Sequence, residues 1–210
     1  MRFERKYRVD NLSMQHILQI IKSHPASFRS LYPDRSIHNI YFDTPHLACL
    51  NDNLGGVNVR KKYRVRWYGD DIRNIVNPTL EIKYKENELG GKTQLDVPNF
   101  SLSDLQNLQQ AVNQLVPQQH TLQPVLLNSY RRSYWGTSDQ KFRMTVDSHL
   151  QFHSLLHSRR FFNYVHRDSA TIVELKYEQE DDHELSRITR FLPFRLSKNS
   201  KYVNGVMLTR

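Results

Sequence analysis

Residues 58–68 of this 210-residue chain read Asn-Val-Arg-Lys-Lys-Tyr-Arg-Val-Arg-Trp-Tyr, and Arg60, Lys62, Arg64 and Arg66 within it are spaced by two. On an extended strand, positions two apart share a face, so these cations stand about 7 Å from one another. At an intermediate effective dielectric each neighbouring pair repels by roughly 2 kcal/mol. Open water tolerates such a row, and so does a bound polyanion. A second signal is the pattern E-x-K, which recurs as Glu4-x-Lys6, Glu81-x-Lys83 and Glu174-x-Lys176. Acid and base again share a strand face in each. The chemistry these residue types offer is anion binding by the bases, with the acids on the same faces as their neighbours. One such tripeptide says nothing. Three of them beside the cationic row and Arg132 point most polar faces toward a common space.

The elements that must position these groups are legible from periodicity. Residues 2–9 alternate as a strand, and Asp10-Asn11-Leu12-Ser13 offers helix-starting side chains before an apolar stripe that Pro25 ends. Strands are predicted at 37–43, 58–68, 79–85, 92–97, 123–135, 141–152, 159–167 and 171–178. Gly55-Gly56 and Gly90-Gly91 read as breaks. Ser101-Leu-Ser103-Asp104 resembles a capping signal for a helix that runs to Pro117, and Leu185, Ile188, Phe191 and Leu192 suit a last short helix. A basic tail, Lys198-Asn-Ser200-Lys201-Tyr202, follows. Many strands and three amphipathic helices imply an antiparallel α+β domain rather than a doubly wound parallel sheet. Closing that sheet into a barrel puts the charges inside and lets the helices cover the apolar outside. Such an interior is costly unless water, metal or an anionic ligand fills it.

Composition narrows the partners. Thirty Lys+Arg against 21 Asp+Glu give a formal charge of +9, which favours anionic partners without choosing among nucleic acid, nucleotides, polyphosphate and acidic membrane. The single cysteine, Cys49, excludes an internal disulfide framework and fits a reducing compartment. No signal peptide or membrane span is evident, so the expectation is a soluble, cytoplasmic, one-domain protein over 1–210. His149, His153 and His157 are spaced by four, but their segment reads as a strand and nothing completes a zinc set. Cys49 has no activating motif and reads as packing. Tyr63 and Trp67 among cations resemble a nucleic-acid surface, but they fall on the face opposite the arginines, which predicts packing instead. No P-loop or dinucleotide fingerprint is present.

Arg2-Phe-Glu4-Arg-Lys6-Tyr, Tyr41-Phe-Asp43-Thr-Pro45, Lys62-Tyr-Arg64-Val-Arg66-Trp-Tyr-Gly69, Leu80-Glu81-Ile-Lys83, Tyr130-Arg-Arg132, Val173-Glu174-Leu-Lys176 and Lys198-Asn-Ser200-Lys201-Tyr202 occur in order along the chain. Together they resemble the VTC domain, the polyphosphate polymerase module of the vacuolar transporter chaperone family. That family sits within the triphosphate tunnel metalloenzymes, which also hold the CYTH triphosphatases and cyclases. The resemblance implies a closed eight-stranded antiparallel β-barrel, a triphosphate tunnel with a charged interior and flanking helices. It implies phosphate-binding or catalytic roles for Lys6, Arg64, Arg66, Lys83, Arg132, Lys198 and Lys201, hydroxyl contacts from Tyr130 and Ser200, and a Mn²⁺ or Mg²⁺ ion on Glu174. Arg60, Lys62 and Lys176 join the phosphate-binding candidates by their faces, and Glu4 and Glu81 join the metal candidates. CYTH proteins open with E-x-E-x-K, and here Arg2 stands at the first glutamate. Fewer acids and more bases favour holding a long phosphate chain.

The leading expectation is therefore a metal-dependent transfer of the γ-phosphate of ATP onto inorganic polyphosphate. A tunnel triphosphatase is one alternative. A non-catalytic module binding polyphosphate or nucleic acid by charge is another. No specific nucleic-acid partner is expected, and association with membrane partners stays open.

Overall fold

Alternation with a period of two yields strands wherever it is sustained. The computed structural model describes residues 2–71, 73–86, 89–116, 120–156 and 164–210. In chain order it contains β1 (Arg2–Val9), α1 (Met14–Lys22), β2 (Arg29–Asp43), α2 (Ala48–Leu54), β3 (Val59–Tyr68), β4 (Thr79–Glu86), β5 (Leu89–Asp96), α3 (Leu105–Leu115), β6 (Gln123–Gly136), β7 (Phe142–Ser154), β8 (His166–Asp168), β9 (Thr171–Glu178), α4 (Leu185–Thr189) and α5 (Lys201–Thr209). The class is α+β. The nine strands form one sheet in the order β1-β9-β7-β6-β2-β3-β4-β5, with β8 on β7.

The chain divides into two compact units. The first comprises Met1–Arg35, Tyr130–Leu150 and Arg167–Asn199, and the second Ser36–Ser129, Gln151–His166 and Ser200–Arg210. In the first unit, β1 pairs β9 with Lys6 opposite Glu174 and Glu4 opposite Lys176, and β9 pairs β7 with Thr145 opposite Glu174 and Arg143 opposite Lys176. This register sends Val173, Leu175 and Tyr177 to the other face, where they meet Phe142, Met144, Val146 and Ile17 and Ile21 of α1 in one buried core. Burying such a side chain contributes roughly 1.5–3 kcal/mol. The helices thus cover the apolar face, as the patterning predicts.

In the second unit, β3 lies between β2 and β4. Tyr63, Val65 and Trp67 are buried to 3% exposure or less, and Trp67 stacks on His38 with centroids 5.2 Å apart. These aromatics are core, as their face predicts.

Four expectations are corrected. The sheet is not a closed eight-stranded barrel, since nine strands form an open order with β1 and β5 at its ends among the described residues. The outer edge of β1 is taken by the chain near Leu196: Tyr7 and Leu196 form a bridge, and the Ser197 amide donates to the Lys6 carbonyl at 2.8 Å. Gly90-Gly91 does not break the chain but lies inside β5, where Gly91 opposes Tyr84. A Cβ at 91 would come within 2.1 Å of the Tyr84 ring. The basic tail becomes α5, capped by Ser200, whose Oγ accepts from the Val203 amide. Strand β2 reaches back to Arg29 through Pro33 along an exposed stretch, well before residue 37.

Candidate functional site

The first unit gathers acids and bases on one sheet face. Lys6 Nζ lies 3.2 Å from Glu4 and 3.5 Å from Glu174, and donates to the Asn199 carbonyl at 3.4 Å. Glu174 is 6% exposed and also meets Lys176 at 3.4 Å and Arg132 at 3.7 Å. Arg132 is fixed by Asp147, which accepts from Nε at 2.5 Å and from Nη2 at 2.7 Å. Burial would lower the pKa of this guanidinium, but the Asp147 charge outweighs it and drives the value up. Arg132 also sits over the Tyr130 ring, 5.3 Å from its centroid. Of the predicted residues, Glu4, Lys6, Tyr130, Arg132, Glu174 and Lys176 therefore meet. Lys198 belongs to the same unit and is exposed.

The second unit carries the cationic strand. Antiparallel register places Lys62 opposite Lys83, and Lys83 opposite Lys92, so three lysines stand abreast on β3, β4 and β5. Like charges directly opposite one another destabilise a sheet. In the next row Arg64 faces Glu81, and Glu81 faces Gln94. Glu81, 3% exposed, accepts from Arg64 Nε at 2.7 Å and is also met by its Nη2 at 2.6 Å. Lys92 and Gln94 reach its other oxygen at 3.4 and 3.3 Å. Burial alone would raise this carboxyl, but Arg64, Arg66 and Lys92 outweigh it and hold the pKa at about 2. Arg66 donates through Nε to Asn39 Oδ1 at 2.8 Å, and Asn39 donates to Asn128. Lys62 Nζ donates to Ser200 Oγ at 3.0 Å, beside Lys201 at the start of α5. Arg60 turns to the Val57 carbonyl at 2.9 Å.

Sequence reasoning missed Asp147, Asn39, Lys92 and Gln94. Lys92 and Gln94 become visible only once hairpin register is known. Asp147 carries the face signal itself, since it lies two residues from Thr145 on β7. Cys49 is buried, and burial pushes its thiol up to about 12, which suits packing. His149 and His153 lie on β7, about 13 Å apart along an extended strand; His157 falls outside the described residues.

A family model described as the VTC domain matches residues 1–210. No curated protein matches the sequence. Among solved structures, a candidate adenylate cyclase from Vibrio parahaemolyticus is 14% identical with a TM-score of 0.53, covering 97% of each chain. A Pyrococcus horikoshii protein is 10% identical with a TM-score of 0.54, over 98% of this chain and 95% of its own. A candidate adenylyl cyclase from Hippeastrum, described as having a dominant triphosphatase activity, is 13% identical with a TM-score of 0.53, over 100% and 97%. The fold is the one these structures share. The chain belongs to the VTC domain family.

The divalent metal that this family implies can be weighed against the donors present. Among the described residues, no group of three or more His, Cys, Asp or Glu side chains forms a protein cage. Mg²⁺ and similar ions need no such cage when substrate phosphates complete the shell around one or two carboxylates. Glu4 and Glu174, meeting across Lys6, suit that role. Glu81 suits it less, because Arg64 brings two nitrogens to one of its oxygens at 2.6 and 2.7 Å.

Proposed function

We propose that the protein is a metal-dependent polyphosphate polymerase of a single tunnel domain, transferring the γ-phosphate of ATP to a growing inorganic polyphosphate chain and releasing ADP. The row of Lys62, Lys83 and Lys92 across three strands carries this reading. Its self-repulsion falls when an anion of many charges lies along it. A long phosphate chain is such an anion, and Arg64 and Arg66 extend the row. Arg2 supports the same reading, because its guanidinium pairs with Glu178 at 3.0 Å where a further metal-binding acid would otherwise stand.

Phosphoryl transfer depends chiefly on positioning and charge neutralisation. The bond between the γ-phosphorus and the oxygen leaving with ADP breaks, and a terminal phosphate oxygen of the growing chain bonds to that phosphorus. Lys6, Arg132 and Lys176 hold equatorial oxygens, and Asp147 keeps Arg132 aimed. Glu81 keeps Arg64 and Arg66 extended beside the lysine row. A Mn²⁺ or Mg²⁺ ion on Glu4 and Glu174 supplies further neutralisation of phosphate charge when bound.

Pure protein incubated with ATP and Mn²⁺ is expected to give ADP and polyphosphate long enough to resolve on a gel. Orthophosphate as the only phosphate product would replace this reading with a tunnel triphosphatase. The Hippeastrum structure favours that second reading, because it joins this fold to triphosphatase activity.

A further inference from the structure

The first unit contains a cavity of about 310 Å³ on the sheet face that bears Glu174. Register connects the two, since Lys176 lines the cavity and lies 3.4 Å from Glu174, while Thr145, opposite Glu174, lines it too. Further along, the lining becomes aromatic. Tyr32 and Tyr134 meet edge to face with centroids 5.7 Å apart and an interplanar angle of 86°. Arg35 lies 5.8 Å from each ring centroid, tying the pair together. Tyr32 remains 53% exposed. Thr145 adds a buried hydroxyl with no hydrogen-bond partner.

A phosphate chain has no use for such walls. Inorganic polyphosphate has no apolar surface, so rings at this end of the cavity reward only a ligand with a flat or apolar part. The volume sits at the small end of ligand pockets, about 300–1,000 Å³. Arg143 and Lys176, paired across β7 and β9, supply positive charge where the rings give way to the Glu174 cluster. The ligand therefore combines an aromatic ring with phosphate. Every base offers a stacking face to such rings.

We propose that this cavity is the nucleoside end of the ATP site, with the base against Tyr32 and Tyr134 and the phosphates running toward Lys176 and Arg143. The assignment rests on the reading of the protein as an ATP-using enzyme. It predicts that the protein distinguishes ATP from inorganic tripolyphosphate through these rings alone.

Calorimetric titration of ATP and of tripolyphosphate tests it on wild type, Tyr32→Ala and Tyr134→Leu. Tyr32 is exposed, so its truncation leaves the core untouched, and tripolyphosphate binding reports that each variant is folded. The expected result is ATP binding weakened about 5- to 100-fold in Tyr32→Ala with tripolyphosphate unchanged. Equal weakening of both ligands, or no change in either, would overturn the nucleoside assignment while leaving phosphate binding standing. Wild type that binds neither ligand would overturn the function reading and this inference together.

Discussion

Glu81 and Glu174 are both buried carboxylates among cations, yet their surroundings differ in kind. Arg64 brings two nitrogens to one oxygen of Glu81 at 2.6 and 2.7 Å, whereas the ion pairs described around Glu174 lie at 3.4, 3.5 and 3.7 Å. Two nitrogens of one guanidinium clamp Glu81. Glu174 is shared among Lys6, Lys176 and Arg132, cations that a bound phosphate would also attract. Glu174→Gln is accordingly expected to lower turnover roughly 100-fold or more. Metal-free tripolyphosphate binding should stay equal or tighten, because one negative charge leaves a cluster of Lys6, Arg132 and Lys176. Weaker binding together with a lower melting temperature would instead make Glu174 a structural partner. Glu81 gives a pH signature. Its folded pKa of about 2 lies below its ordinary 4.5, so its stabilisation is present above about 4.5 and lost as pH falls toward 2. That linkage is on the order of 3 kcal/mol. In Glu81→Gln the acid-induced loss of stability between pH 5 and 2 should be shallower than in wild type, measured by urea unfolding at each pH.

Elements announced by local chemistry were readable, and elements made by distant partners were not. Ser13 caps α1 by accepting from the His16 amide at 3.3 Å, and Asp104 caps α3 through Asn107, so both helices show their starts in sequence. Helix α2 does not. Leu47 at its start has a φ of +55° and no side-chain cap; the cap is Asp43, which accepts from the Thr44, Cys49 and Leu50 amides at 2.7–2.9 Å and from the Tyr202 hydroxyl. One buried carboxylate thereby ties β2, α2 and α5. Gly205 of α5 shows the same dependence on distance, since a Cβ there would meet Leu126 and Phe152 at 2.5 Å. Neither constraint leaves a periodic trace. The site was legible to the same degree: faces of single strands placed the predicted bases, but cross-strand partners such as Lys92 needed register. Asp43→Asn puts an amide donor among amide donors and should cost on the order of 2–4 kcal/mol. Tyr202→Phe should cost about 1 kcal/mol, and the double variant less than the sum. Additive losses would separate the two residues.

At the scale of the molecule, a +9 charge is concentrated into rows that sheet register builds, and no helix among the described residues is long and apolar enough to cross a membrane. Among the described residues, the two ends of the sheet are finished differently. At one end the Leu196–Ser197 segment occupies β1. The other end is β5, whose inner partner is β4. A terminal strand offers its backbone to any second copy that approaches, which is how folded proteins begin to aggregate. Lys92 stands on that strand, with its side chain 46% exposed. Two molecules docking edge to edge through β5 would bring this ammonium group and its lysine neighbours against their own likeness. The same cations would thus also act as gatekeepers against self-association, and neutralising them for tighter packing would invite the chain to pair with itself.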